Sequence, residues 1–417
     1  MYKEISQGLS HSRKVDAIDR HQLGTRTSRH ISLRFMPVYY TIFTSYCVLS
    51  TLKFTTFIDL AWMHIDFLFL LVRIICALVL GLHIMTERFA ETRIMVFLVL
   101  GGCFMASTLV SGSWNMLLLL LFLLAGRNAD IRILAHCVLW SNSVCVLLAM
   151  VCSSRGVISS PIRMSSVNTV RNAFGFTHPN LLGMTVLTIC CALAVLRFRK
   201  LGKIDFLVYA FYAFAYYFCS TIVYSRTSAI AILLCVVLSV LTSIFTGGLS
   251  DIIFISVGLV VFVGLGVTSV LLMMRYDPLK PWMANLDGYM SGRIDLMHHY
   301  YATYGARPFG FDFSTMQENY KDLYQTFICD NAFAHTILES GYLVSGIFFV
   351  AYGYVLAQGL RFGRLTPALF GLLIFAVVAF SESGAFEICY NFCLLSLAAP
   401  LCGYQRTMST MRGDLIG

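Results

Sequence analysis

The sequence predicts an all-α, polytopic membrane protein of about twelve transmembrane helices with one long extracytoplasmic loop. Three observations predict it. The chain of 417 residues is 58% hydrophobic and only 12% charged, with a mean hydropathy of +0.77. A water-soluble fold cannot hide that much apolar surface, so lipid must be its main solvent. Apolar runs long enough for a span, about 20 residues with roughly 17 as a working minimum, recur along the chain. The early runs are joined by tight polar turns such as Ser111-Gly112-Ser113, and only the connection over about 275–341 is long enough to hold structure of its own.

Taken in order, residues 1–35 form a polar, basic tail rich in Ser, Thr and His. They lack the charged start, apolar stretch and small-residue site of a removable signal peptide. Residues 36–274 hold runs beginning near Met36, Phe67, Ile94, Trp114, Ile131, Phe174, Phe206, Ser228 and Ile252, the one at Trp114 being short. Residues 342–404 hold three more, beginning near Tyr342, Leu365 and Glu387, and residues 405–417 form a second tail.

Orientation follows from the basic residues. The first tail carries Lys3, Arg13, Lys14, Arg20, Arg26, Arg29 and Arg34. Further groups fall at Arg88/Arg93, Arg127/Arg132, Arg197/Arg199/Lys200/Lys203, Arg361/Arg364 and Arg406/Arg412. With twelve spans all of these lie on one side, which is then cytoplasmic, as are both termini. The net charge of +9 is mostly this topology signal and calls for no nucleic acid. Of the 14 cysteines only Cys329 lies within the long loop; the others sit in or beside apolar runs, where packing accounts for them better than metal or disulfides.

Arginines on the other side are then informative. Arg155, Arg163, Arg171, Arg226, Arg275, Arg293 and Arg307 map to the outer face, and Arg73 lies inside the second span. A buried arginine costs about 2.5–3.5 kcal/mol on insertion scales, so Arg73 either snorkels to the outer headgroups or has a partner. Arg171 precedes the stretch His178-Pro179-Asn180, Arg226 lies in Tyr-Ser-Arg-Thr-Ser at the head of a helix, and Arg293 closes Ser291-Gly292-Arg293. Arginine grips phosphate oxygens with two parallel bonds and keeps its charge in a low-dielectric site. Several at one membrane face point to an anionic ligand, and a lipid-linked diphosphate is the obvious membrane candidate.

The long loop adds a helix signal. Ser291 is placed to cap a helix whose apolar positions Ile294, Met297, Tyr301 and Tyr304 follow three- and four-residue spacing, and Gly305 and Pro308 stop it. Arg293 in its first turn opposes the helix dipole, which suits an anion site beside free N–H groups, or an incidental charge on a surface-lying helix. Tyr289, Tyr300, Tyr301, Tyr320 and Tyr324 give the loop aromatic faces on which sugars could lie. Asp330 and Asn331 stand just before the tenth span, followed by His335 and Glu339. Asp330 reads as a helix cap or as a base for a sugar hydroxyl, and His335 as a packed histidine or a supporting group.

The order Arg…His-Pro-Asn, Ser-Arg at a helix start, Ser-Gly-Arg…Pro-x-Gly, then Asp-Asn…Glu-x-Gly, over about 171–346, resembles the O-antigen polymerase and ligase superfamily, which includes the Wzy-type polysaccharide polymerases. The resemblance implies a GT-C-like membrane glycosyltransferase of a bacterial cytoplasmic membrane, with its catalytic face extracytoplasmic. Its substrates would be polyprenyl-diphosphate-linked saccharides, one as donor and one as acceptor. It implies no metal and no cofactor, with Asp330 as base, His335 beside it, and Arg171, Arg226, Arg293 and Arg73 neutralising diphosphate. His178, Asn180, Ser291, Asn331 and Glu339 would shape the cavity. Family ligases usually carry His where Asp330 stands, so the aspartate favours a polymerase. A ligase or a flippase of the same lipid-linked sugar remain the alternatives, and a separate chain-length regulator is left open.

Overall fold

Among the described residues seven helices are long and apolar enough to cross a membrane: Ile65–Thr86, Arg93–Ser111, Ile131–Ser154, Pro179–Leu196, Arg226–Ile244, Gly248–Arg275 and Ala332–Phe362. The computed structural model describes residues 35–60, 63–87, 91–164, 170–200, 203–313 and 329–398. In chain order the helices are α1 (35–53), α2 (Ile65–Thr86), α3 (Glu91–Ser111), α4 (Asn115–Ala125), α5 (Ile131–Ser154), α6 (Pro179–Leu196), α7 (Lys203–Tyr217), α8 (Arg226–Ile244), α9 (Gly248–Arg275), α10 (Pro281–Tyr289), α11 (Arg293–Tyr304), α12 (Ala332–Phe362) and α13 (Pro367–Val378). Between α5 and α6 lies an antiparallel pair, β1 (Ile162–Met164) and β2 (Val170–Asn172).

Burial separates the bundle's centre from its rim. In α6, 78% of the span is buried, against 22% in α2, α3 and α9. Helix α6 packs against α5, α8 and α13, which is why nearly every one of its side chains is enclosed. In α2 one stripe, with Ile65, Phe69, Cys76, Leu80 and His83 buried on it, faces protein, while Phe67, Leu78, Leu82 and Met85 are exposed. Apolar side chains on such a rim are stable only against hydrocarbon.

Three expected spans are corrected. The run at Trp114 is α4, of 11 residues, and the run at Leu365 is α13, of 12 residues. At about 1.5 Å per residue neither crosses a core of about 30 Å. The run at Glu387 holds, among the described residues, only a 3-10 turn, Phe392–Leu397, buried in protein, and its last residues, 399–404, lie outside the described ones. Hydropathy measures removal from water, and a segment enclosed by other helices is as apolar as one facing lipid. The tenth span also begins earlier than Tyr342. Helix α12 starts at Ala332 and is interrupted at Gly341 (φ 84°, ψ 157°), so the expected boundary is a break within the helix.

The long loop has a core of its own. Ile294, Met297 and Tyr300 of α11, Met283 of α10, Phe311 and Cys329 bury themselves against Leu272, Met273, Ala334 and Leu338 at the ends of α9 and α12. Tyr300 thus takes the buried place expected of Tyr301. Tyr320 and Tyr324 lie outside the described residues.

Candidate functional site

The starts of α6, α8, α11 and α12 and the chain just after α13 meet at one end of the bundle. The approach to α6 is pinned first. Thr56 N–H donates to the Gly175 carbonyl (2.8 Å), and Thr177 N–H to that of Phe54 (2.9 Å), tying the loop to the end of α1. Phe176 is wholly buried there. His178 is the N-cap of α6: its Nδ1 accepts from the Asn180 N–H (3.1 Å), and Pro179 occupies the first turn, where its missing N–H costs nothing. His178 and Pro179 therefore set where α6 begins. Arg171, on β2, donates through Nη2 to the Asn180 side-chain oxygen.

Helix α8 starts after a π-helical turn, Phe218–Ile222. The buried Ser225 lies so close to α6 that a Cβ on Gly183 would overlap the Ser225 and Ser228 hydroxyls. Arg226 opens α8, is exposed, and makes no ion pair among the described residues. Thr227 beside it faces the Glu382 carboxylate.

Arg293 is the hub of the cluster. Its Nε lies 2.9 Å from Asp330 Oδ2, its Nη1 lies 3.6 Å from Glu382 Oε1, and Nη1 also donates to the Ser381 carbonyl. Burial pushes the Asp330 carboxyl above the ordinary carboxylate range, while the charges of Arg293, His335 and Arg171 act against that. Burial pushes Glu382 up to about 7, with Arg293 lowering it and Asp330 raising it. Two carboxylates thus share one guanidinium. The head of α11 is not the anion site expected of it. Gly292 (φ 79°), not Ser291, is the N-cap and has no side-chain bond. The Ile294 and Asp295 N–H groups donate instead to Asp287 Oδ1 (2.8 and 3.1 Å), and Ser291 is exposed.

Asn331, not Asp330, caps α12. Its Oδ1 accepts from Ala334 N–H (3.0 Å), and its Nδ2 donates to Ser269 Oγ (2.8 Å) and the Phe380 carbonyl (2.9 Å). Both donors of this amide and its oxygen thus serve the scaffold. Asp330 thereby sits before the helix, where helical spacing does not turn it away from His335. His335 stacks on Phe313 (5.1 Å between ring centroids) and its Nε2 is 3.6 Å from Glu339 Oε2.

The break at Gly341 explains the Pro-x-Gly and Glu-x-Gly pair. Tyr342 and Leu343 N–H groups donate to the carbonyls of Arg307 and Pro308 (3.0 and 3.2 Å), and Ser107 Oγ donates to the Ser340 carbonyl (2.8 Å). Gly310 (φ 78°) and Gly341 are in the left-handed region, and a Cβ on either would collide with backbone of the other segment. Backbone freed by the break is thus satisfied by the loop, as an apolar environment requires. Arg73 is not a snorkelling residue. It lies on the packed stripe of α2, with its guanidinium 4.0 Å from the Phe69 ring centroid, and its charge reaches Glu339 and Glu387.

The structure therefore brings Arg171, Asn180, Arg293, Asp330 and His335 together, leaves Arg226 exposed next to Thr227, and puts the charge of Arg73 within reach of Glu339. It uses His178 and Asn331 as caps. Glu382 and Asp287 are not predicted from sequence, although Ser381-Glu382-Ser383 is a polar interruption in an apolar stretch and was a usable signal. Comparison with known protein families, with characterised proteins and with solved structures finds no match.

Proposed function

We propose that the protein is a membrane glycosyltransferase that polymerises polyprenyl-diphosphate-linked oligosaccharides at the outer face of a bacterial cytoplasmic membrane. The observation that carries this reading is the meeting of Asp330 with Arg293, Arg171 and Glu382 at one end of a bundle of membrane-length helices. A carboxylate whose pKa is raised is a better base for a sugar hydroxyl than an ordinary aspartate. The acceptor hydroxyl gives its proton to Asp330 and its oxygen attacks the donor's anomeric carbon. The bond from that carbon to the diphosphate oxygen breaks, and the diphosphate leaves with the electron pair. Arg171, Arg226 and Arg293 neutralise that charge without a metal. Because Arg293 already holds Asp330, an arriving diphosphate competes for the guanidinium and releases the carboxylate next to the acceptor.

The test is genetic and chemical. In a glycan-producing cell lacking the gene, a polymerase predicts lipid-linked single repeats at the outer face, and Asp330→Asn fails to restore long chains while reaching the membrane at normal levels. Untransferred long chains would indicate a ligase, and inward-facing precursors a flippase. Full polymer from Asp330→Asn removes the aspartate from the base role.

A further inference from the structure

A second basic cluster sits at the other end of the bundle, in a cleft between the α6–α7 turn and the end of α8. Arg197, Arg199 and Lys200 form one wall, Ser239 of α8 the facing one, with Tyr209 and Phe370 closing the apolar side. Arg197 gives Nε to Asp205 (2.6 Å) and Arg199 gives Nη2 to Asp251, so both guanidinium groups keep donors beyond their ion pairs. Three cations meet two carboxylates, leaving the cleft positive. The Arg199 Nε and Ser239 Oγ are buried without a hydrogen-bond partner among the described residues. Arg199 holds φ 58°, a conformation unfavourable for a residue with a Cβ, and one that the surroundings must enforce. Beside the cleft, Phe206 and Leu207 of α7, with Ile244 and Phe245 at the end of α8, are exposed.

We propose that this cleft binds the phosphate of an anionic lipid headgroup, with its acyl chains laid along the exposed apolar residues of α7 and α8. Phosphate oxygens match the fork of an arginine, and basic clefts between membrane helices at the level of the headgroups select anionic lipids. A free phosphate shares the headgroup chemistry but has nothing to lay against Phe206 and Leu207. The site is independent of the glycosyltransferase reading.

The full-length protein is placed in nanodiscs of phosphatidylcholine containing increasing phosphatidylglycerol, and its thermal unfolding midpoint is followed. A parallel titration uses inorganic phosphate in neutral detergent. The midpoint should rise saturably with phosphatidylglycerol. Lys200→Gln, which breaks no ion pair among the described residues, should weaken the apparent affinity about fivefold, the worth of one basic residue near an anionic surface. Ser239→Phe, which fills the cleft, should remove the saturable part. A response that Lys200→Gln leaves unchanged, or no response, overturns the proposal. Equal stabilisation by inorganic phosphate, weakened by Lys200→Gln, keeps the phosphate site and overturns lipid as its source.

Discussion

At one end of the bundle Arg127 pairs with Glu87, Arg197 with Asp205 and Arg199 with Asp251. At the other, Arg293 is shared by two carboxylates, Asp330 and Glu382, and the charge of Arg171 also reaches Asp330, while Arg226 has no ion pair among the described residues. The first arrangement joins chain turns: Asp251, in the first turn of α9, also accepts the Leu365 N–H (3.0 Å) just before α13. Each arginine there has its own acid, the excess cation being Lys200, whereas at the Asp330 end the arginines themselves outnumber the carboxylates among the described residues and Arg226 remains exposed. The difference teaches that a basic residue at a membrane helix end signals topology, scaffold or ligand according to how many acids are folded against it. Sequence position alone does not distinguish these.

The largest expected effect breaks the scaffold end. Asp251→Ala strands Arg199 and should cost about 3–5 kcal/mol, as removing one partner of a buried pair does; thermal unfolding in detergent measures it. Arg226→Ala, by contrast, should move stability by no more than about 0.5 kcal/mol. If the two variants unfold alike, the distinction between the ends is wrong. Next comes Arg293→Lys, which keeps charge but loses the fork reaching both carboxylates. On the proposed function, chain elongation should fall about 10²–10³-fold, as for loss of one transition-state donor, nearly as far as for Arg293→Ala. Normal polymer from Arg293→Lys would show that simple charge suffices.

A smaller effect is expected at the helix break. Gly341→Ala places a Cβ at φ 84° against the Pro308–Gly310 backbone, costing about 1–3 kcal/mol from conformation alone. Limited proteolysis of membranes should then cut within 276–313 faster than in the parent protein; an unchanged rate would mean the loop is held mainly by its own core.

The smallest effect is a pH shift. On the proposed function Asp330 is a base only when ionised, so polymerisation should fall as pH drops through its raised pKa. The stability sign is opposite: burial disfavours the charged forms of Asp330 and Glu382, so their contribution is fullest in acid and is lost as pH rises through the folded values, about 7 for Glu382. Glu382→Gln leaves Arg293 to Asp330 alone and should move the acid limb of activity downward by less than about one pH unit. An upward shift would mean that Glu382 does not compete for Arg293.

Features that depend on composition and short-range pattern are legible in the chain. Apolar length identified α2, α3, α5, α6, α8 and α9 as membrane-length helices, because hydropathy is a sum over neighbours in the chain. Local stop signals placed the end of α11 at Gly305, while α6 begins at Pro179, five residues after the expected start near Phe174. The positions of Arg171, Arg293 and Asp330 were also readable, since a charge in an apolar chain is conspicuous wherever it lies. Only the tertiary structure decided which apolar runs face lipid and which are enclosed: α4, α13 and the turn after Glu387 look like spans because burial in protein and burial in hydrocarbon remove the same surface from water. It also decided that Asn331 rather than Asp330 caps α12, that Asp287 takes the amides at the head of α11, and that Glu382 comes to Arg293 from 89 positions away. Hydrogen bonds and charges act through space over a few ångströms, and which residues lie that close is settled by packing.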